Sequence, residues 1–176
     1  LDAGYYLVKD QDDTQLGQDD AYTRFILEVV NDVTVTPKSG TSTMTKTVDD
    51  INDSTNEGMQ EVNSADYDIG DTVPFTLTGT LPSNYGDYTS YKYIFHDRML
   101  NGLSFMGNVT VYIDDIFGIP LDSSYYTVVD IGLTDGCTFE VRFDNLKNVP
   151  GITKDSKIIV RYNALLLGTD EITSMG

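Results

Sequence analysis

The sequence predicts an all-β protein in which two sheets pack as a sandwich. Short runs rich in Val, Ile, Thr, Tyr and Phe follow one another at intervals of about ten to fifteen residues, with Gly, Asn, Asp or Pro between them, as strands joined by turns do. No segment keeps a helical period, and only DNLKNVPGI is compatible with a single helical turn. The 176 residues, 40% of them hydrophobic, suffice for one domain with a substantial core and a part of another.

The first part of the chain is predicted to contribute two or three strands. They lie within residues 1–37, in the runs GYYLVKD, AYTRFILEVV and DVTVT. Small polar residues at 39–42 then indicate a domain boundary. We therefore predict that residues 1–38 are the end of one domain with its linker, and that residues 39–176 form a second domain. The opening run LDAGYYLVKD is typical of the middle of a protein, so we expect this chain to be a piece of a longer one.

The strands after the boundary are marked by alternation and by turn residues. In DTVPFTLTGTLP, Val73, Phe75 and Leu77 point to one side and threonines to the other, which predicts a half-buried strand. Pro74 has no amide hydrogen, and it therefore predicts an edge position or a bulge near the start of this strand. Further strands are predicted in YKYIFHD, GLSF, NVTVYID, YYTVVD, CTFEVRF and KIIVRYNALLL.

The charge of the chain excludes several classes of partner. Eleven basic residues against 28 acidic ones leave a net charge of -17, which repels nucleic-acid phosphates and anionic lipid surfaces. No apolar run approaches the roughly 20 residues that a membrane span needs. We therefore expect no nucleic-acid partner and no membrane span in this chain.

Cysteine and histidine are too few for the usual metal sites. Cys137 is the single cysteine, from which we infer that the chain has neither an intramolecular disulfide framework nor any cysteine-based zinc site. We predict that it is a small buried residue of the strand CTFEVRF. His96 has no second histidine beside it, and the acidic run from Asp10 has Gln15 where a calcium-binding EF-hand loop requires glycine. We expect neither a metal nor a cofactor.

Lys46 is the first residue that calls for a chemical explanation. In the strand around it, Met44, Lys46 and Val48 point to one side and threonines point to the other. A lysine among apolar neighbours is costly unless it is neutralised, paired or covalently consumed. The sequence therefore predicts a partner for the Lys46 amine.

Asp97 is the matching acid. It ends a row of aromatic side chains on one face of the strand YKYIFHD, formed by Tyr91, Tyr93 and Phe95. A dry aromatic site favours uncharged forms, so that an amine next to an acid becomes a nucleophile beside a proton donor. If an Asn carboxamide lay within reach, the amine could displace ammonia from it and leave an amide cross-link. The plain alternatives are a structural salt bridge between Lys46 and Asp97, or two side chains that reach for solvent.

Two other classes of function have weaker support in the sequence. The loop LPSNYGDYTSY carries Tyr85, Asp87 and Tyr88, and aromatic loops of this kind can stack on sugars, which suggests an adhesin-type module that binds host protein or glycan. A glycosidase needs two facing carboxylates, but Asp114 and Asp115 are adjacent and would point to opposite sides of a strand. We therefore expect no turnover enzyme.

The segment before Lys46 carries the resemblance to a known family. It is similar to the pilin motif of the backbone pilins of Gram-positive bacteria, which sortases assemble; that motif is a Trp followed by Val-x-Val-Tyr-Pro-Lys. The matching residues here are Val33, Val35, Pro37 and Lys38. Val29 stands at the Trp position and Thr36 at the Tyr position. YDIGDTVPFTLTGTLP, YIFHDRMLNGLSF and VRYNALL resemble strands of the second domain of these pilins, and GYYLV and FILEVV resemble the last strands of the domain before it.

The resemblance implies a fold and a function. The fold would be an immunoglobulin-like β-sandwich of the Cna type, here without its final strand. The protein would be a structural shaft subunit of a cell-wall-anchored extracellular pilus. Its partners would be neighbouring pilin subunits, the pilus sortase and, in some cases, host surface ligands.

The resemblance also implies roles for single residues. Lys38 would be the amine that a sortase joins to the next subunit. Lys46 and Asp97 would be the nucleophile and the proton-handling acid of an internal isopeptide bond. The reacting Asn would be Asn163, in the last strand of this chain, or an Asn beyond residue 176.

Overall fold

The computed structural model describes residues 4–9, 24–29, 40–50, 60–62 and 67–168. In this part of the chain every regular element longer than one turn is a β-strand. The strands are β1 (Gly4–Lys9), β2 (Arg24–Val29), β3 (Met44–Asp50), β4 (Gln60–Val62), β5 (Thr72–Thr80), β6 (Tyr93–Asp97), β7 (Leu103–Phe105), β8 (Thr110–Ile113), β9 (Thr127–Val129), β10 (Phe139–Phe143) and β11 (Lys157–Leu166). Three single 3₁₀ turns occur at Tyr85–Asp87, Ser123–Tyr125 and Leu146–Asn148. The all-β prediction is confirmed, and the last turn lies where the sequence allows one.

The described strands form three antiparallel sheets. The largest has the order β4-β3-β5-β11-β7, with β8 also paired to β11. A second sheet has the order β6-β10-β9, and β1 and β2 form a two-stranded sheet of their own. The long strand β11 is the spine of the large sheet, because β5, β7 and β8 all pair with it.

The core lies between the large sheet and the sheet of β6, β10 and β9. It contains aliphatic side chains of β5, β8 and β11 together with a set of aromatic rings. Phe105 of β7 stacks on Phe139 of β10, with ring centroids 4.2 Å apart, and Phe139 meets Tyr162 of β11 edge to face at 4.7 Å. Offset and edge-to-face ring pairs contribute roughly 0.5–1.5 kcal/mol each beyond the area that they bury. The aromatic residues therefore hold the two sheets together.

Pro74 lies near the start of β5, at a position where this central strand can accommodate a proline. β5 lies between β3 and β11, so the strand as a whole is not at an edge. Its pairing with β3 ends at Phe75, however, and Pro74 is paired with Asn163 of β11 alone. The missing amide hydrogen therefore costs no bond to β3.

Gly79 of β5 is required by the close approach of the second sheet. A Cβ atom at this position would lie 2.3 Å from the Tyr93 hydroxyl oxygen and 2.8 Å from Cζ of Phe95. Both rings are fixed, because Tyr93 donates a hydrogen bond to the carbonyl oxygen of Thr80 and Phe95 is buried. The absence of a side chain at residue 79 thus lets the aromatic row of β6 pack directly on β5.

Within the described residues, no helix is long and apolar enough to cross a membrane.

Replacing Gly79 by Ala is expected to lower the free energy of unfolding by about 1–3 kcal/mol, because the added methyl group overlaps the rings of β6. Urea denaturation followed by circular dichroism measures the change. Gly86→Ala is the matched control, since a Cβ atom at residue 86 has no neighbour within 4 Å. Equal stability of the two variants would contradict the tight packing at Gly79.

Candidate functional site

Lys46 lies where the apolar side of β3 changes from exposed to buried. Along this side, the exposed fraction falls from 45% at Met44 to 29% for the Lys46 side chain and 9% at Val48. Lys46 is paired with Leu77 of the central strand β5, so its backbone is firmly held. The predicted orientation is confirmed, while the lysine is only partly buried.

Asp97 is the last residue of β6 and is almost completely buried. Tyr93, Phe95 and Asp97 alternate with more exposed residues, and the Asp97 side chain is 3% exposed. The pairing of Asp97 with Phe139 of β10 places it against the aromatic core. The predicted aromatic row is therefore present along β6 from Tyr93 onward, while Tyr91 precedes the strand and stacks on Tyr93 with ring centroids 6.2 Å apart.

The structure brings the Lys46 amine and the Asp97 carboxylate into direct contact. Nζ of Lys46 donates to Oδ1 of Asp97 at 2.8 Å and to Oδ2 at 2.9 Å. The same Nζ lies 4.9 Å from the ring centroid of Phe75 and 5.6 Å from that of Tyr162. A carboxylate from one sheet thus meets an amine from the other between aromatic walls.

Tyr162 of β11 completes the site. Its hydroxyl donates to Oδ2 of Asp97 at 2.7 Å, and the residue is 1% exposed. Burial, and then the hydrogen bond to the Asp97 carboxylate, raise the pKa of the Tyr162 hydroxyl well above its ordinary value. Tyr162 is therefore a stable proton donor to Asp97. The alternation in KIIVRYNALL predicts that Tyr162 is buried with Ile158 and Val160, but it holds no signal for the contact with Asp97.

Asn163 is not brought to this site. Successive side chains of a strand point to opposite faces, and Tyr162 points to Asp97. Asn163 therefore lies on the other face of the sheet together with Arg161, whose guanidinium pairs with Asp49. Its backbone N–H donates to Oδ1 of Asn108 at 3.0 Å.

Lys38 and the rest of the segment 33–38 lie outside the described residues. Their assignment to a pilin motif stays a prediction. The same holds for the acidic run at 10–20.

The loop after β5 buries Tyr85, leaves Asp87 exposed and keeps Tyr88 half-buried. Tyr85 is 2% exposed, and Nζ of Lys147 lies 3.6 Å from its ring centroid. Tyr88 packs edge to face on Tyr91 at 5.2 Å. Of the two loop tyrosines named from the sequence, Tyr85 therefore has no face open to a sugar.

Asp114 and Asp115 accept hydrogen bonds from backbone amides just after β8. Both follow the end of β8, so the prediction that they belong to a strand is wrong. Asp114 accepts from the backbone N–H of Lys157 at 2.7 Å, and Asp115 accepts from that of Phe117 at 2.9 Å. Asp114 has a positive φ of 64°, a conformation that Asp adopts more readily than most residues.

Cys137 differs from its prediction. It lies before the start of β10 and is partly exposed, because residues 130–138 form an irregular loop rather than an extension of the strand. The run CTFEVRF has the composition of a strand throughout, but only Phe139–Phe143 pair with neighbouring strands.

Comparison with known proteins relates the fold to pilins. No protein-family model and no curated protein matches the sequence. The structure is similar to the full-length major pilin SpaD from Corynebacterium diphtheriae, with a TM-score of 0.52 and 21% identity over 94% of this chain and 39% of that one. It is also similar to the pilus backbone RrgB from Streptococcus pneumoniae, with a TM-score of 0.49 and 17% identity over 72% of this chain and 46% of that one. The chain spans less than half the length of either protein. Its structural neighbours are thus Gram-positive major pilins, and its fold is the immunoglobulin-like one seen in SpaD.

Substituting Lys46 and substituting Asp97 are expected to lower the free energy of unfolding by different amounts. Lys46→Met leaves a nearly buried carboxylate with Tyr162 as its remaining donor, whereas Asp97→Asn leaves an amine that reaches solvent. We expect Lys46→Met to lower the free energy of unfolding by roughly 2–3 kcal/mol, less than the roughly 3–5 kcal/mol of a fully buried pair, and Asp97→Asn to cost less than that. Urea denaturation of both variants and of the double variant measures the coupling. A larger loss for Asp97→Asn would show that the lysine, not the carboxylate, is the trapped charge.

Alkaline pH is expected to weaken the fold through its buried tyrosines. Burial raises the pKa of Tyr93 to about 12, and burial with the bond to Asp97 raises that of Tyr162 above the ordinary 10.0. The folded protein holds these phenolic protons more strongly than the unfolded chain does. The contribution of the two tyrosines to the free energy of unfolding is therefore complete below about pH 10 and declines as the pH rises further. Tyr162→Phe should reduce this decline in urea titrations, and Tyr5→Phe, at a tyrosine that is 75% exposed, is the control. An unchanged decline in Tyr162→Phe would contradict this assignment.

Proposed function

We propose that this chain is part of a structural shaft subunit of a cell-wall-anchored pilus of a Gram-positive bacterium. The observation that carries the proposal is the contact of Asp97 with Lys46 and Tyr162 inside a fold similar to that of the SpaD major pilin. In this role the only chemistry of the protein is its own cross-linking and its joining to other subunits. Its place would be the extracellular pilus, and its partners would be neighbouring pilin subunits and a pilus sortase.

The amine and the acid are suited to forming one isopeptide bond. A proton passes from the Lys46 ammonium to Asp97, with which it already shares two hydrogen bonds. The neutral Nζ then attacks the carboxamide carbon of an Asn. A new C–N bond forms, and Asp97 passes its proton to the amide nitrogen, whose bond to carbon breaks so that it leaves as ammonia. Asp97 then takes up the second proton that Nζ loses, so the product is a neutral amide beside a neutral carboxylic acid. The reaction is a single turnover and needs no cofactor.

The surroundings of the pair favour this reaction over a simple salt bridge. Phe75 and Tyr162 line the amine and limit the access of water, which would otherwise stabilise the charged forms. Tyr162 keeps one carboxylate oxygen in place through its hydroxyl. The remaining 29% exposure of the Lys46 side chain leaves a side from which a carboxamide can approach.

We propose that the reacting Asn belongs to a segment beyond residue 176 rather than being Asn163. The direction of Asn163, away from Asp97, supports this choice. A bond between β3 and such a segment would close the domain covalently. The chain would then resist unfolding under tension, much as a disulfide limits the unfolded ensemble.

We further propose that Lys38 is the amine through which a sortase joins subunits. Its position eight residues before Lys46, in the segment VTVTPK, supports this role. Residues 1–38 would then be the end of a preceding domain with its linker, and residues 39–176 the cross-linking domain.

Intact mass spectrometry tests the cross-link. The chain of residues 1–176 is expected to show its full mass, because Asn163 points away from Lys46. The protein extended past residue 176 is expected to be lighter by one ammonia, and Lys46→Ala or Asp97→Ala should restore the full mass. Lys154→Ala, at an exposed lysine paired with Asp155, is the control and should keep the loss. Full mass in the extended wild-type protein, or a loss of ammonia through Asn163, would refute the assignment.

Polymer formation tests Lys38. Co-expression of the longer protein with a pilus sortase is expected to give a ladder of covalent multimers on denaturing gels, and Lys38→Ala should abolish it. Lys154→Ala should leave the ladder intact. Ladders of equal strength in wild type and Lys38→Ala would remove Lys38 from this role while leaving the internal cross-link untouched.

A further inference from the structure

A second group of reactive side chains lies on the opposite face of β6 from Asp97. His96 of β6 and Glu140 of β10 are directly opposite each other in the antiparallel pairing, so their side chains share the outer face of this sheet. The loop between β9 and β10 brings Asp135 and Cys137 to the same place. One ligand atom each of His96, Asp135 and Cys137 lies within 4.8 Å of the other two.

Two carboxylates converge on one histidine nitrogen. Nδ1 of His96 lies 2.9 Å from Oδ2 of Asp135 and 2.9 Å from Oε1 of Glu140. A single imidazole nitrogen has room for one proton, so it can fully satisfy only one of these oxygens at a time. A cation with several coordination positions would satisfy both.

The other oxygen of each carboxylate is held by a group outside the cluster. Oδ1 of Asp135 accepts from the backbone N–H of Cys137 at 3.1 Å, and Oε2 of Glu140 pairs with Nε of Arg142. Such outer contacts are what orients carboxylate ligands in metal sites. Glu140 is in addition only 5% exposed at its side chain, whereas an unpaired surface glutamate would extend into solvent. Asp135 is thus held beside His96 and Cys137, and Glu140 is held beside His96.

Against the expectation from the sequence, we propose that His96, Asp135 and Cys137 form a zinc site, and that Glu140, which contacts His96, moves into the fourth position when the ion binds. Imidazole, thiolate and carboxylate groups are the ligands that Zn²⁺ takes in tetrahedral sites, and the thiolate favours it over Mg²⁺ or Ca²⁺. Ligand atoms bound to one zinc ion lie about 3.3–3.8 Å apart, as bonds of about 2.0–2.3 Å require. The contacts at 2.9 Å open by a few tenths of an ångström to accept the ion.

Binding follows a simple balance of charge. Zn²⁺ replaces the proton of the Cys137 thiol, which leaves to solvent, and His96 binds as neutral imidazole through Nδ1 with its remaining proton on Nε2. Three anionic ligands exceed the charge of the ion by one, and Arg142 beside Glu140 offsets this excess. The net charge of -17 further favours the approach of a cation.

Zinc at this place would fix the strand end that carries Asp97. His96 precedes Asp97 directly, and the backbone N–H of Thr138, next to Cys137, donates to the carbonyl oxygen of Asp97 at 2.7 Å. The ion would therefore join the loop of residues 130–138 to the end of β6. This inference does not depend on the pilus role or on the cross-link.

The test is metal binding by the whole chain after removal of metal with a chelator under reducing conditions. We expect calorimetry with zinc chloride to show one ion per chain and a rise of the unfolding temperature. With Co²⁺ as the probe, we expect a thiolate-to-cobalt charge-transfer band and the visible bands of a four-coordinate ion. Cys137→Ser should abolish the charge-transfer band and, as a loss of a ligand, weaken zinc binding by more than the roughly 10–100-fold of outer-contact changes.

Asp135→Asn and Asp130→Asn are the matched pair of variants, because both remove one charge from the same loop and Asp130 is exposed. Zinc should bind weakly to the first and normally to the second, with circular dichroism as the check of folding. The cobalt spectrum of the wild-type chain is a readout that needs no variant. If the wild-type chain takes up no zinc, lacks the charge-transfer band with cobalt, or loses equal affinity in both variants, the cluster is an ion pair of His96 with two carboxylates and the proposal fails.

Discussion

The buried carboxylate of Asp97 is the constraint on which the rest of the structure depends. It belongs to β6 in one sheet, and both side chains that contact it, Lys46 of β3 and Tyr162 of β11, come from the other. A charge this deep in an aromatic core is tolerated only when it is paired and hydrogen-bonded. The carboxylate therefore fixes the distance and the register of the two sheets, and the aromatic rings fill the space that this distance leaves.

The same contact links stability to chemistry. The amine is partly exposed and the acid is nearly completely buried, so the pair is asymmetric: solvent can reach the lysine much more readily than the aspartate. An ion pair of this kind contributes modestly to stability, because desolvation offsets much of the attraction. Replacing it by a covalent amide would remove both charges from the core. In the proposed role as a pilus subunit, this bond would resist mechanical tension at a site already held in place by the non-covalent contacts.

The short strand β6 contributes neighbouring residues to both faces of its sheet. Alternation sends Asp97 into the core and His96 to the outer surface, where Asp135, Cys137 and Glu140 gather. The inner group is formed by pairing between sheets, whereas the outer group needs an irregular loop folded back over its own sheet. An ion bound by the outer group would therefore affect the inner group only through the backbone of β6. It would not contact the side chains of the inner group.

The sequence by itself determined the all-β class, the aromatic row ending at Asp97, and the inward direction of Lys46 and Tyr162, because strand alternation is a local property of period two. The same alternation within KIIVRYNALL places Asn163 with Arg161, on the face away from Ile158, Val160 and Tyr162. Only the tertiary structure decided that Tyr162 meets Asp97, that Tyr85 is buried, and that Cys137 leaves the strand to join His96 and Asp135. The contact of Tyr162 with Asp97 joins residues 65 positions apart, and that of His96 with Asp135 joins residues 39 positions apart. The packing of the two sheets and the path of the loop determine such contacts, and neither produces a periodic pattern in the sequence from which the contacts could be predicted.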